Sequence, residues 1–82
     1  MASHVYILQC ADERYYVGST RAGLERRVNE HNAGIYSGHT KSRRPVVLAF
    51  SQEFDRITDA VTAERKLKGW THVKKEALIR GD

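Results

Sequence analysis

Two short runs of strand-forming residues, followed directly by a run at helical spacing, occupy His4 to Asn32, and this stretch restricts the fold more than any other. Val5, Tyr6, Ile7 and Leu8 are β-branched, aromatic or aliphatic, and the polar tetrad Ala11-Asp12-Glu13-Arg14 after them suits a hairpin loop. A second run, Tyr15-Tyr16-Val17, stops at Gly18, where the chain can turn or approach another segment closely without a Cβ clash. Alternation along a strand sends Tyr15 and Tyr16 to opposite faces. Beyond the glycine, Leu24 and Val28 lie four apart; at about 100° per residue His31 shares their side, Arg27 borders it, and Arg26 points away. Arg27 and His31 are also four apart, so both can act on one bound group.

The rest of the chain continues the pattern. Residues 33–40, with two glycines among small polar residues, read as loop. Pro45, lacking an N–H, fits a strand entrance. The apolar run Val46-Val47-Leu48-Ala49-Phe50 then predicts a strand covered on both faces, at or near the centre of the sheet. Thr58 or Asp55 can cap a helix from about Asp59 to Lys68, closed by Gly69. On it Ala60, Ala63 and Leu67 share a face with Glu64. A last helical stretch begins near Trp70, with Val73 and Ala77 four apart and Leu78 and Ile79 able to pack on the sheet. The expected fold is one α/β domain over residues 1–82. It has a small three-stranded, mainly antiparallel sheet flanked by helices, in the order β-β-α-β-α-α.

At 82 residues a single core is near the lower size at which folding proceeds without staples. One cysteine, Cys10, permits no intrachain disulfide, which suits a reducing compartment, and Cys10 itself reads as a small buried apolar residue. No basic leader with an apolar run opens the sequence, and no apolar stretch approaches the ~20 residues of a membrane span. The expectation is a soluble, cytoplasmic chain without a membrane partner. The net charge of +4 is uneven: residues 1–40 carry four charges of each sign, whereas residues 41–82 carry ten basic and six acidic. That asymmetry points towards an acidic polymer, although a pI of 9.5 is common among proteins that bind none.

Five pieces of the sequence, in order and spacing, resemble a GIY-YIG nuclease domain, most closely the small stand-alone bacterial, YhbQ-like group. They are Val5-Tyr6-Ile7, Tyr16-Val17-Gly18, the helix Leu24 to Asn32, Arg43-Arg44-Pro45-Val46, and Glu64. His4 stands where the name-giving glycine would be. The resemblance implies a metal-dependent endonuclease that cuts DNA phosphodiesters to a 5′-phosphate and a free 3′-hydroxyl, in repair or recombination. Branched or damaged DNA is the expected substrate, with RNA left open and the chain a monomer or weak homodimer. A non-catalytic or weakly active nucleic-acid-binding module on the same fold is the alternative, because no second domain grips the substrate.

Each candidate residue also has an ordinary explanation. A carboxylate among Ala60, Ala63 and Leu67 must be held or stand at the rim, because an unpaired buried charge costs several kcal/mol. For Glu64 this means either a rim salt bridge to Arg65, Lys68 or another basic side chain, or, as the resemblance implies, a ligand for one Mg²⁺ or Mn²⁺ ion that keeps most of its water. Arg27 either lays its stem along the core or, by resemblance, steadies the charge growing on the scissile phosphate. His31 is a core-edge histidine or a residue that holds or deprotonates the attacking water. Tyr6 and Tyr16 are sheet aromatics or, by resemblance, site hydroxyls. A free tyrosine is only about one part in a thousand ionised at neutral pH, so a base role needs a neighbouring cation. Lys41, Arg43, Arg44, Lys68, Lys74 and Lys75 are either a solvated surface or the grip on a phosphate backbone. Tyr36 and Trp70 are candidates for stacking on bases, Trp70 otherwise filling the core.

Overall fold

The computed structural model describes residues 2–35 and 43–81. Three strands, β1 (Ser3–Gln9), β2 (Tyr15–Thr20) and β3 (Val47–Phe54), and three helices, α1 (Leu24–Asn32), α2 (Ile57–Lys68) and α3 (His72–Arg80), follow in the order β-β-α-β-α-α. The sheet is antiparallel throughout, with strand order β2-β1-β3. The expected α/β single-domain architecture is therefore the observed one.

β1, not the third strand, is central. Its residues Val5, Ile7 and Leu8 are fully buried, as a middle strand of alternating faces requires. β3 lies at an edge, and Val47 and Leu48 are 57% and 42% exposed, so the apolar run there is not covered on both faces. Its pairing with β1 slips between Ile7 and Leu8, where Ile7 faces Phe50 and Leu8 faces Leu48. The extra residue is a β-bulge, which breaks the flat edge a partner strand would otherwise join.

The two faces of the sheet carry separate cores. Val5, Ile7, Val17 and Leu67 pack with Tyr15, Phe50, Phe54, Ala63, Trp70, Leu78 and Ile79 on the side of α2 and α3. Tyr6, Leu8, Cys10 and Val46 pack with Tyr16, Leu24 and Val28 on the side of α1. The expected division of Tyr15 from Tyr16 holds, and Tyr15 stacks on His72 with ring centres 4.5 Å apart.

Local chemistry sets the connections. The hairpin closes through Cys10 N to Arg14 O at 2.8 Å, with Glu13 at φ 69° in the left-handed region. Asn32 fixes the end of α1 to the approach of β3: its amide donates to Val46 O at 3.0 Å and its side-chain oxygen accepts from Val46 N at 2.7 Å. α2 starts at Ile57, two residues before expectation, with Arg56 at the cap position and no side-chain cap, so neither Thr58 nor Asp55 serves that role. α3 starts at His72, where Thr71 accepts from Lys74 N, and Trp70 precedes it. Among the described residues no helix is long and apolar enough to cross a membrane.

Candidate active site

β2 does not end at Gly18 but runs through it to Thr20, and this strand organises the site. Register pairs Tyr6 with Gly18 and Leu8 with Tyr16. The Tyr6 ring lies directly across the glycine: a Cβ there would stand 2.5 Å from the Tyr6 hydroxyl and 2.6 Å from Cζ. The close approach anticipated for Gly18 is thus to a side chain of the neighbouring strand. Tyr6, 3% exposed, reaches His31 Nε2 with its hydroxyl at 3.3 Å. His31 is itself buried, and the half-buried Tyr16 meets its ring edge-on with centres 5.0 Å apart. Leu24 and Val28, two turns and one turn before His31, hold that face of α1 against β1.

Burial pushes the His31 imidazole below the usual histidine range, and the Arg27 charge pushes it further, against a smaller opposing effect of Glu30. The ring is therefore neutral near pH 7, with one nitrogen able to accept a proton.

Arg27 lies on the same helix, and its Nε donates to Thr20 Oγ1 at 3.1 Å, with Glu30 3.9 Å away. Its side chain is 27% exposed against 76% for Arg26, as their helical phases predict. Glu64 approaches β2 from α2. Ser19 Oγ donates to Glu64 Oε1 at 2.5 Å, and Lys68 Nζ is 2.6 Å from Oε2. Burial alone would raise the Glu64 carboxyl; the hydrogen bonds from Lys68 and Ser19 and the charges of Lys68 and Arg65 outweigh it, and the net shift is downward. The carboxylate is ionised at neutral pH.

Arg27 and Glu64 are thus attached to adjacent residues of one edge strand, Thr20 and Ser19, from opposite faces of the sheet. Ser19 and Thr20 escape sequence reasoning because small polar residues after a glycine resemble the end of a strand. Only the alternation of a continued β2 would have revealed them.

The donor chemistry at Glu64 fits a hard divalent cation. An ammonium already stands against Oε2 where such an ion would bind, and Ser19 fixes the other oxygen. No group of three or more His, Cys, Asp or Glu able to hold a metal exists among the described residues, so an ion here would keep most of its water. Cys10 is no alternative nucleophile: burial, and then Asp12, push its thiol upward despite Arg43.

The expected phosphate-binding residues do not gather into one strip. Lys41, like Tyr36, lies outside the described residues. Arg43 Nε is 2.8 Å from Asp12 on the hairpin, and Arg44 donates to Asn32 O at 3.1 Å. Lys68 is joined to Glu64, Lys74 lies 4.3 Å over the Trp70 ring, and the half-buried Lys75 sits beside it on α3. Trp70 itself packs partly buried against the α2 core. Two arginines that sequence reasoning passed over, Arg21 and Arg56, line an open cavity of about 700 Å³ with Ser3, Asp55, Ile57 and Thr58. Arg21 directly follows Thr20, so this cavity adjoins the strand end that holds Arg27.

Residues 2–77 match the GIY-YIG catalytic domain, and the chain belongs to that nuclease family. Within it the chain is similar to the small UPF0213 proteins. A UPF0213 protein of Halobacterium salinarum is 41% identical over 76 residues, covering 93% of this chain and 97% of that one. Two solution NMR structures share the fold at 32% identity. The UPF0213 protein BH0048 of Bacillus halodurans has a TM-score of 0.61, covering 98% of this chain and 84% of its own. The protein EF2693 of E. faecalis has a TM-score of 0.65, with coverages of 99% and 85%.

Proposed function

We propose that this chain is a divalent-metal-dependent endonuclease that hydrolyses DNA phosphodiesters, working on branched or damaged DNA in repair or recombination. The observation that carries the reading is the pairing on β2, where adjacent residues Ser19 and Thr20 hold Glu64 and Arg27 from the two faces of one edge, with the Tyr6–His31–Tyr16 cluster on the α1 side.

Glu64, with Ser19 orienting Oε1, is the metal ligand, for Mg²⁺ or Mn²⁺. The ion, when bound, supplies Lewis-acid stabilisation of charge on the scissile phosphate and leaving oxygen. Arg27 meets the same developing charge with a planar guanidinium whose Nε is fixed by Thr20. Of the two tyrosines, Tyr16 is the one to meet the attacking water, because the Tyr6 hydroxyl is buried against His31. His31, neutral and enclosed, shares a hydrogen bond with the Tyr6 hydroxyl and braces the Tyr16 ring, so that its part in handling the water is exercised through the tyrosines. Arg44, Lys74 and Lys75, with Lys41 and Arg43, remain candidates for gripping flanking phosphates, and Arg21 and Arg56 join them.

The test is an incubation of the purified protein with branched, nicked and linear DNA in Mg²⁺ or Mn²⁺, then with chelator. Cleavage that needs the ion and disappears in Arg27→Ala and Glu64→Gln supports the reading. One observation favours a non-catalytic binding module instead: both Glu64 oxygens already have partners. Salt-sensitive DNA binding that survives chelation, with no cleavage of any substrate, would establish that alternative.

A further inference from the structure

The Glu64–Lys68 pair is a closed contact at the position where the proposed reaction requires a metal ligand. Its geometry is tight: 2.6 Å from ammonium nitrogen to Oε2, one helical turn apart on α2. The carboxylate end is largely shielded, at 18% side-chain exposure, while the lysine is 54% exposed and has solvent into which to swing. Ser19 holds Oε1 from β2 and fixes the carboxylate plane, so Oε2 is presented in one direction only. An ion approaching in that direction meets the ammonium. A lysine head carries a single compact charge on a flexible stem, which makes it a replaceable occupant rather than a rigid one.

We propose that Lys68 is a tethered cation that occupies the Glu64 carboxylate in the metal-free protein and is displaced from Oε2 when a divalent ion binds. The inference rests on the metal-ligand reading of Glu64. It has two consequences. The carboxylate is kept ionised and oriented before the ion arrives, so no desolvated bare charge is left on the edge of β2. The ion also binds by exchange, which weakens its affinity for the protein alone. A substrate phosphate, whose negative charge attracts both the ion and the released ammonium, restores that affinity. Tight metal binding is thereby reserved for the DNA-bound state.

The experiment compares Mn²⁺ dissociation constants, measured by electron paramagnetic resonance without DNA, for the wild type, Lys68→Met, Lys68→Gln and Arg65→Met. Arg65 also acts on Glu64 through its charge, so Arg65→Met isolates the loss of a nearby charge. Removal of a charge-assisted hydrogen bond predicts an increase in affinity of about tenfold or more for both Lys68 variants, and only about two- to threefold for Arg65→Met. Glu64→Gln abolishes the site in each background. Circular dichroism establishes that every variant is folded, and the two replacements at position 68 guard against a defect peculiar to one of them. Equal gains in the Lys68 and Arg65 variants, or no gain at Lys68, overturn the exchange. The endonuclease reading fails separately: DNA left uncut by the wild type with Mn²⁺ refutes it whatever the dissociation constants are.

Discussion

Substitution of Gly18 by alanine tests the packing on which the tyrosine cluster depends. In an ordinary strand this change stabilises by about 0.5–1 kcal/mol, because alanine loses less backbone entropy and fills space. Gly18 is not among the positive-φ glycines of this chain, so its backbone accepts alanine without strain. The neighbour decides the outcome instead. The new Cβ would stand 2.5 Å from the Tyr6 hydroxyl and 2.6 Å from Cζ, and 3.1 Å from Cε1. Carbon atoms in contact sit about 3.5–4.0 Å apart, so the overlap is on the order of 1 Å. The Tyr6 ring has little room to yield: it is 3% exposed and its hydroxyl is engaged by His31. Overpacking of this kind costs about 1–3 kcal/mol, and loss of the Tyr6–His31 hydrogen bond adds ~1 kcal/mol. For a domain of this size each kcal/mol moves Tm by roughly 4–8 °C, giving an expected fall of about 8–30 °C by thermal unfolding. The partner experiment removes the obstacle. Tyr6→Ala alone is costly, but adding Gly18→Ala to it should cost nothing further and should recover the ordinary gain of alanine. The coupling between the two substitutions, the wild-type cost plus the recovered gain, is then about 2.5–5 kcal/mol. Additive effects, or an unchanged or raised Tm in Gly18→Ala alone, would refute the placement of Tyr6 across Gly18.

Further outcomes follow from the same geometry. Arg27→Ala and Glu64→Gln should remain folded while cleavage falls by roughly 10²–10³-fold, whereas Arg26→Ala, exposed and turned away, should cut normally; equal rates in all three would separate β2 from the chemistry. Burial and Arg27 hold the folded His31 pKa below its usual 6.5, so between those two values the unfolded chain binds more protons. Stability is therefore full above about pH 6.5 and declines as pH falls towards the depressed folded value, a dependence that His31→Gln should flatten in urea titrations at stepped pH. Replacing Arg21 and Arg56 together by alanine should lower the slope of log affinity for duplex DNA against log salt by about 1–2, with little change in base preference; an unchanged slope removes their cavity from the phosphate path.

The elements were legible where the hydrophobic period is local. Val5 to Leu8, the Ala11–Arg14 loop and the Leu24–Val28–His31 face each announce themselves within a dozen residues, and each occurs in the structure. Sheet order is a different kind of fact. The run Val46–Phe50 has the composition of a buried strand, yet whether a strand is central depends on which others pair with it across long stretches of chain. β1 pairs on both sides because a hairpin holds β2 to it and Asn32 delivers β3 to its other side. The exposed Val47 and Leu48 are the consequence. At the site, residues with distinctive chemistry were readable, and their supports were not. Lys68 carried the same signal as any exposed lysine four residues after a glutamate. Only the position of that glutamate beside Ser19 gives the pair its meaning.

That position explains why the organising strand has to be an edge. A residue pair such as Ser19–Thr20 sends one side chain to each face, so a helix on either side can be tied to the same point of β2. In a central strand the two tied groups would stay separated by the hydrogen-bonded neighbour. β2 has a neighbour on one side only, and groups held from the two faces can meet a common substrate past its free margin. Arg27 reaches that margin from α1 and Glu64 from α2. An edge strand invites unwanted pairing with other chains. A phosphodiester laid along this margin would cover part of it while engaging both charges. The prediction is correspondingly specific: amides of Tyr15 to Thr20 should gain hydrogen-exchange protection with bound uncleavable DNA, and those of Val47 to Phe54 on the opposite edge should not. Protection confined to β3 would move the substrate to the other side of the molecule and leave Arg27 and Glu64 without a shared target.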